Sequence, residues 1–212
     1  MLEPDLNIDE FFPPERRICE GFVLRCWRPG DGPLLQDASN ASYLHLKRFM
    51  HWARPDQTTL ENEKLVRMFR AHFLLSEDFA LGVFSPDERR VLGGTGFHLS
   101  KRPISKRSAE IGMWIRSSGA GLGLGTRVLR EMLAWGFTQW PWMRLSWRAS
   151  ENNLASRRTA EKAGMLQEGV FQCDDYDAEG NRCSTVVYGL TREQWMSSGD
   201  GVCEIKTESL GD

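Results

Sequence analysis

The segment Ala120-Gly121-Leu122-Gly123-Leu124-Gly125-Thr126 constrains this chain more than any other. It follows a stretch that alternates like a strand (Ile111, Met113, Ile115) and leads into a helical pattern with Val128, Leu129, Met132, Leu133 and Phe137 on one face. Glycines spaced in this way let backbone N–H groups turn inward, and a helix N-terminus adds its positive dipole. Together they make a cradle for a pyrophosphate that needs no lysine. A Walker loop would end in Gly-Lys-Ser/Thr, and Gly125-Thr126 lacks the lysine. A Rossmann fingerprint would sit early in a βαβ unit with an acid about 20 residues on, whereas this turn follows three strands that read as a meander. A flexible turn without a ligand is the plain alternative.

The surrounding pattern places the turn in a fold. Gly21 to Trp27 alternates Phe22, Leu24 and Cys26 as a strand does, and helical stretches follow near 33–50 and 58–76. The second of these sets Leu65, Phe69 and Phe73 on one face behind the possible caps Thr58 and Thr59. Strands are expected at 78–85, 90–99 and 108–116, with Pro86-Asp87-Glu88 as a tight turn and the basic loop Lys101 to Arg107 as the second connection. After the helix at 123–138 come a strand at 143–150, a helix at 153–163 and strands at 166–174 and 183–190. Asp177-Ala178-Glu179-Gly180-Asn181 forms the last hairpin turn. This order predicts a single α/β (α+β) domain, a mostly antiparallel central sheet of about seven strands with flanking helices. Its expected extent is 16–196, between an acid- and Pro-rich extension at 1–15 and a polar tail at 197–212.

Composition excludes several classes. An apolar fraction of 41% supports a core, yet no apolar run approaches the roughly 18 residues of a membrane span. The acidic start (Glu3, Asp5, Asp9, Glu10) is wrong for a signal peptide. Five cysteines without a CxxC pair argue against a disulfide framework or zinc site, so a cytoplasmic protein without a metal is expected. The four histidines (His45, His51, His72, His98) lack ligand spacing and read as packing residues, as do Trp135, Trp140, Trp142 and Trp147. With both ends acidic, 16–196 holds 26 bases against 20 acids, which suits a phosphate-bearing ligand and equally a solvated surface. The loop 101–107 reads as a solvated hairpin end, so neither a nucleic-acid nor a membrane partner is expected.

Three further motifs accompany the glycine turn. Ala109-Glu110-Ile111-Gly112-Met113-Trp114-Ile115 precedes it; Asn153-Leu154-Ala155-Ser156 and Glu161-Lys162-Ala163-Gly164-Met165 follow. In this order and spacing they resemble the GNAT acetyltransferases, in the branch similar to the RimJ/RimL protein N-terminal acetyltransferases. The resemblance covers about 20–195 and departs at Ala120, where the family carries Gln or Arg.

The resemblance implies acetyl-CoA as acetyl donor and a primary amine as acceptor. Backbone groups of Gly121, Leu122, Gly123, Leu124, Gly125 and Thr126 would cradle the pyrophosphate. Met113, Trp114 and Ile115 would pair with the pantetheine arm, Asn153 would hydrogen-bond it, and Arg158, with Arg127 and Arg157 as further candidates, would meet the nucleotide phosphates. Asp175, ahead of Tyr176, aligns with the branch's base; Glu110 aligns with the base of many other members. Ser156 would return a proton to the leaving thiolate. Leu46, Phe49, Met50 and Trp52 lie where the family walls its acceptor groove. The branch often pairs through its sheet, which suggests a homodimer.

Two acceptor classes stay open: a protein N-terminal α-amine and a small amine such as a polyamine, antibiotic or amino acid. A non-catalytic acyl-CoA-binding module is the alternative from another class, and a nucleotide-binding regulator is disfavoured by the absent Walker lysine.

Overall fold

The computed structural model describes residues 8–199; the start of the extension and the tail beyond Gly199 lie outside the described residues. Eight strands form one sheet in the order β1-β2-β3-β4-β5-β6-β8-β7. They are β1 (Arg16–Cys19), β2 (Phe22–Cys26), β3 (Phe79–Phe84), β4 (Val91–His98), β5 (Ser108–Ile115), β6 (Arg144–Ser150), β7 (Leu166–Tyr176) and β8 (Arg182–Thr191). Every neighbouring pair is antiparallel except β5 with β6. The sheet has one strand more than the sequence pattern counts. The additional β1 is a four-residue edge, Arg-Arg-Ile-Cys, whose half-exposed sequence lacks an apolar alternation.

Among the described residues five α-helices cover the two faces: α1 (Gly32–Leu46), α2 (Thr59–Leu74), α3 (Leu124–Thr138), α4 (Leu154–Lys162) and a short α5 (Arg192–Ser197). Helix α1 stops four residues before the sequence pattern does, and the chain leaves it through a turn in which the Leu46 carbonyl accepts the amides of both Phe49 and Met50. Thr58 is the N-cap of α2 and shares a capping box with Glu61. The unforeseen α5 starts with the same device, Thr191 with Gln194.

Two cores result, one on each face. Val23, Trp27, Leu35, Val66 and Phe84 pack where α1 and α2 lie on the sheet. The larger core lies under α3 and α4 and is centred on Trp140 and Trp142, whose rings stack 6.0 Å apart among Phe73, Phe79 and Phe97. Gly136 lets α3 approach closely: a Cβ there would sit 2.8 Å from Leu145 and 3.1 Å from Phe97.

One charge is buried beside the smaller core. Arg25 makes two hydrogen bonds to Asp31 (2.7 and 2.9 Å), another to Glu88 (2.6 Å), and stacks on Phe84 at 3.7 Å. Removing Asp31 leaves the buried Arg25 with Glu88 on Nε alone and takes the carboxylate from both terminal nitrogens, so Asp31→Ala should cost about 3–5 kcal/mol. At this size the unfolding midpoint would fall by roughly 6–20 °C. Glu61 supplies an acid-dependent contribution. The Thr58 amide, then Arg54 and the Thr58 hydroxyl, hold its carboxyl down from 4.5 to about 2. A depressed carboxylate stabilises above its unfolded value, and that contribution disappears as pH falls towards the folded one. Glu61→Gln should therefore flatten the decline of the midpoint between pH 4.5 and 2.

Candidate active site

The site begins where two strands part. β5 and β6 pair only through Ser108↔Arg144, Ala109↔Leu145 and Glu110↔Ser146. Beyond that point β5 follows β4 up to Ile115, while β6 follows β8 up to Ser150. The sheet thus splits, and among the described residues the β5 edge from Ile111 to Ile115 has no strand partner on that side. A cleft of about 1250 Å³ opens there and draws its walls from both faces of the sheet. Asn153, Ser156 and Trp147 come from the α4 side; Phe49, Met50, Trp52, Leu65 and Phe69 come from the α1/α2 side. An extended ligand arm can pair with a free strand edge as an added strand does.

The structure brings together Met113, Trp114, Glu110, Asn153, Ser156 and Asp175 as lining residues of this cleft. Phe49, Met50 and Trp52 join them, while Leu46 is buried in the helix packing. Ile115, residues 121–126 and Arg158 do not line it. The glycine turn lies beside it instead: Met113 Sδ and Thr159 of α4 each come within 3.9 Å of where a Gly125 Cβ would be. Gly121 (φ +76°) and Gly123 (φ +81°) are left-handed, with open space around the missing Cβ, so backbone conformation alone demands glycine there. Gly123 caps α3, and the first amides of the helix lack intrahelical acceptors. An anion fits this end. Of the three arginine candidates, Arg127 is turned to the Glu20 carbonyl and Arg157 to Tyr188 and the Glu151 carbonyl, whereas Arg158 is exposed with no hydrogen bond or ion pair among the described residues.

Asn153 caps α4 by accepting the Ser156 amide (3.1 Å). The Ser156 hydroxyl accepts from the Trp147 indole N–H at 3.0 Å. Indole is a donor only, so the hydroxyl is left with its own proton to give. Sequence pattern marks Trp147 as core packing; the structure adds this hydrogen bond, for which the serine at helical distance carries no separate sign. Glu161 accepts the Tyr188 hydroxyl at 2.9 Å, and Gly164 (φ +84°) turns the chain out of α4, which accounts for that motif in packing terms.

Asp175 stands on β7 just after an irregularity in its pairing with β8, where Cys173 has φ +52°. Its side chain is 58% exposed, accepts the Tyr176 amide (2.8 Å) and lies 4.0 Å from His51 Nε2. Glu110 lies deeper, 3.4 Å from Arg148 Nε. Directly opposite Glu110 on β4 is His98, which also lines the cleft and binds both oxygens of Asp78 through Nδ1 (2.9 and 3.0 Å). Spacing of the four histidines gave His98 no distinction; its place opposite Glu110 follows only from strand register. Gly94 admits the Trp114 ring, whose Nε1 lies 2.4 Å from where a Cβ would be, and Trp114 meets Trp52 edge-on at 5.9 Å.

Known proteins share this architecture. The sequence model of the acetyltransferase (GNAT) domain matches residues 22–166. Probable N-acetyltransferase YjcK of Bacillus subtilis (strain 168) is 25% identical over 117 residues, 54% of this chain and 64% of that protein. The match spans less than two thirds of that relative's length. Among solved structures, RimL, a ribosomal L7/L12 α-N-protein acetyltransferase in complex with coenzyme A, aligns with a TM-score of 0.76 at 17% identity, over 85% of this chain and 99% of that one. Spermidine N-acetyltransferase from Vibrio cholerae, in complex with CoA and spermine, aligns with a TM-score of 0.68 at 15% identity, over 84% and 99%. Likeness at these identities concerns the fold.

The two glycines at the start of α3 should respond oppositely to a methyl group. Gly123→Ala forces a left-handed alanine and should cost about 1–2 kcal/mol. Gly125 has an ordinary helical backbone and 3.6 Å of clearance from Ile115. Gly125→Ala should therefore stabilise the fold by roughly 0.4–1 kcal/mol. Denaturant unfolding of both variants checks the pair of signs.

Proposed function

The chain belongs to the GNAT acetyltransferase family, and from that premise we propose that it moves an acetyl group from acetyl-CoA to a primary amine by direct attack in a ternary complex, the amine being a protein N-terminal α-amine. The observation that carries this reading is the split sheet, which lets one cleft receive a donor from the α4 side and an acceptor from the α1/α2 side. The free β5 edge fits the pantetheine arm, Asn153 its amides, and the uncapped amides at Gly123 to Thr126 with Arg158 fit the phosphates. Acetyl-CoA supplies the activated acyl group; the residues supply placement and proton transfer.

The amine must lose a proton to attack. Asp175 is the first carboxylate for this role and Glu110 the second. Amides along the free β5 edge can hold the oxyanion. Ser156, with its oxygen engaged by Trp147, gives its proton to the departing thiolate. A protein α-amine loses its proton at about 7.7–8.0 and a lysine at about 10.4, a difference worth roughly 3.5 kcal/mol. That makes the α-amine the less demanding acceptor for exposed carboxylates. A second reading is a small polyamine: Asp174, Asp177 and Glu179 line the same cleft as Asp175, and spermidine N-acetyltransferase shares the fold.

Thermal unfolding with acetyl-CoA, CoA and ATP tests the donor side. A ligand at about 100 times its dissociation constant adds ~2.7 kcal/mol, which at this size is roughly 5–10 °C. Both coenzymes should give that shift and ATP should not; no shift with either coenzyme would turn the reading into a structural one. Thiol release with a panel of N-terminal peptides and small amines then tests the acceptor. Ser156→Ala and Asp175→Asn should lower the rate about 10²-fold or more while keeping the coenzyme shift.

A further inference from the structure

A row of charged side chains crosses the acceptor face of the sheet beneath the cleft. Asp78 immediately precedes β3, His98 ends β4, Glu110 lies on β5 and Arg148 on β6. His98 and Glu110 are direct cross-strand partners, so their side chains leave the same face about 4.5–5.5 Å apart at Cβ. Asp78 holds His98 from the other side at 2.9 Å, and Arg148 holds Glu110 at 3.4 Å. Both Asp78 oxygens face Nδ1, which fixes the proton of a neutral imidazole on Nδ1 and leaves Nε2 as the acceptor. The ring lies over Gly112: a Cβ there would be 2.9 Å from Nε2 and Cδ2. Among the described residues Nε2 has no hydrogen-bond partner, and His98 lines the cleft.

We propose that His98 is the proton store of the acetyl-transfer reaction: Glu110, the second of the two carboxylates named above, takes the proton of the acceptor ammonium while Asp175 holds that ammonium in place, and the proton passes on to His98 Nε2, with Asp78 as the positioning residue. The inference rests on the acetyl-transfer reading above and assigns the fate of its proton. The ammonium N–H bond breaks as a Glu110 O–H forms; the freed nitrogen lone pair attacks the thioester carbon. Strand register sets Glu110 beside His98 without direct contact, so its proton reaches Nε2 through one bridging water and Glu110 is again a carboxylate. The departing thiolate takes its proton from Ser156, which recovers one from solvent as Nε2 releases its own. A carboxylate is a far weaker base than an amine, so a proton left on Glu110 would soon return; imidazole is the side chain that holds a proton at little cost near neutral pH. The imidazolium is flanked by Asp78 and Glu110, which offset its charge. Other charges lining the cleft are Lys47, Arg48, His51 and Arg54 after α1, Glu61 and Lys64 on α2, Arg148 on β6, and Asp174, Asp175, Asp177 and Glu179 on β7 and its turn.

The test is the pH profile of kcat for thiol release from acetyl-CoA, with a Ser-initiated peptide and spermidine as acceptors. A limb between pH 5 and 8 that is common to both amines belongs to the protein, whereas the amine's own limb moves with its basicity. His98→Gln should lose the common limb and about 10²-fold in kcat, and still gain thermal stability from acetyl-CoA. Asp78→Asn, which keeps the imidazole but frees its tautomer, should lower kcat and leave the KM for acetyl-CoA unchanged. Asp175→Asn should lower the rate without moving the common limb. An unchanged profile in His98→Gln overturns the relay alone, and if that variant fails to fold, an unchanged kcat in Asp78→Asn does so. Absence of thiol release from the wild-type protein with either amine overturns the relay together with the acetyl-transfer reading.

Discussion

Three residue pairs of parallel ladder govern this molecule. Had β5 and β6 paired along their full length, the sheet would be closed and the backbone from Ile111 to Ile115 satisfied internally. Because the ladder stops at Glu110↔Ser146, the chain carries a free strand edge in its interior, where an unpaired amide is costly unless something binds it. The two half-sheets are kept apart by different partners. β4 holds β5, β8 holds β6, and the helices pack on both. Glu110, Met113 and Trp114 owe their access to the cleft to this divergence.

Much of this was legible in the chain itself. The strand before the glycine turn, the left-handed glycines, the Asn153 cap and the amphipathic α3 follow from local rules that act within a few residues. What remained hidden depends on partners distant in sequence. β1 has only four residues and gains its strand character from pairing with β2. Trp147 reads as an inward residue of an alternating strand, which it is, but only α4 packed beside it shows that its N–H meets Ser156. His98 and Glu110 are twelve positions apart in the chain, and a basic loop of unknowable path separates them; register alone makes them neighbours. Asp175 follows an irregular stretch of β7 that no periodicity announces.

The site also divides labour between rigid and exposed elements. Ser156 sits in the first turn of a capped helix and Glu110 on a central strand, so packing holds both. Asp175 is on the edge strand β7, which is solvent-exposed along its whole length. Ser156 on the donor side and Glu110 beneath the cleft are thus preorganised, while the acceptor side also includes an element with fewer restraints, as suits a surface that has to admit a second substrate.

Gly136 lies on the far side of the sheet from the acceptor, yet it touches both halves: its missing side chain would strike Leu145 of β6 and Phe97 of β4. Helix α3 therefore acts as a clasp across the divergence, and the absence of one methyl group sets how closely it grips. Bulk added at that point would press on both halves of the sheet from behind, at a residue that does not line the cleft.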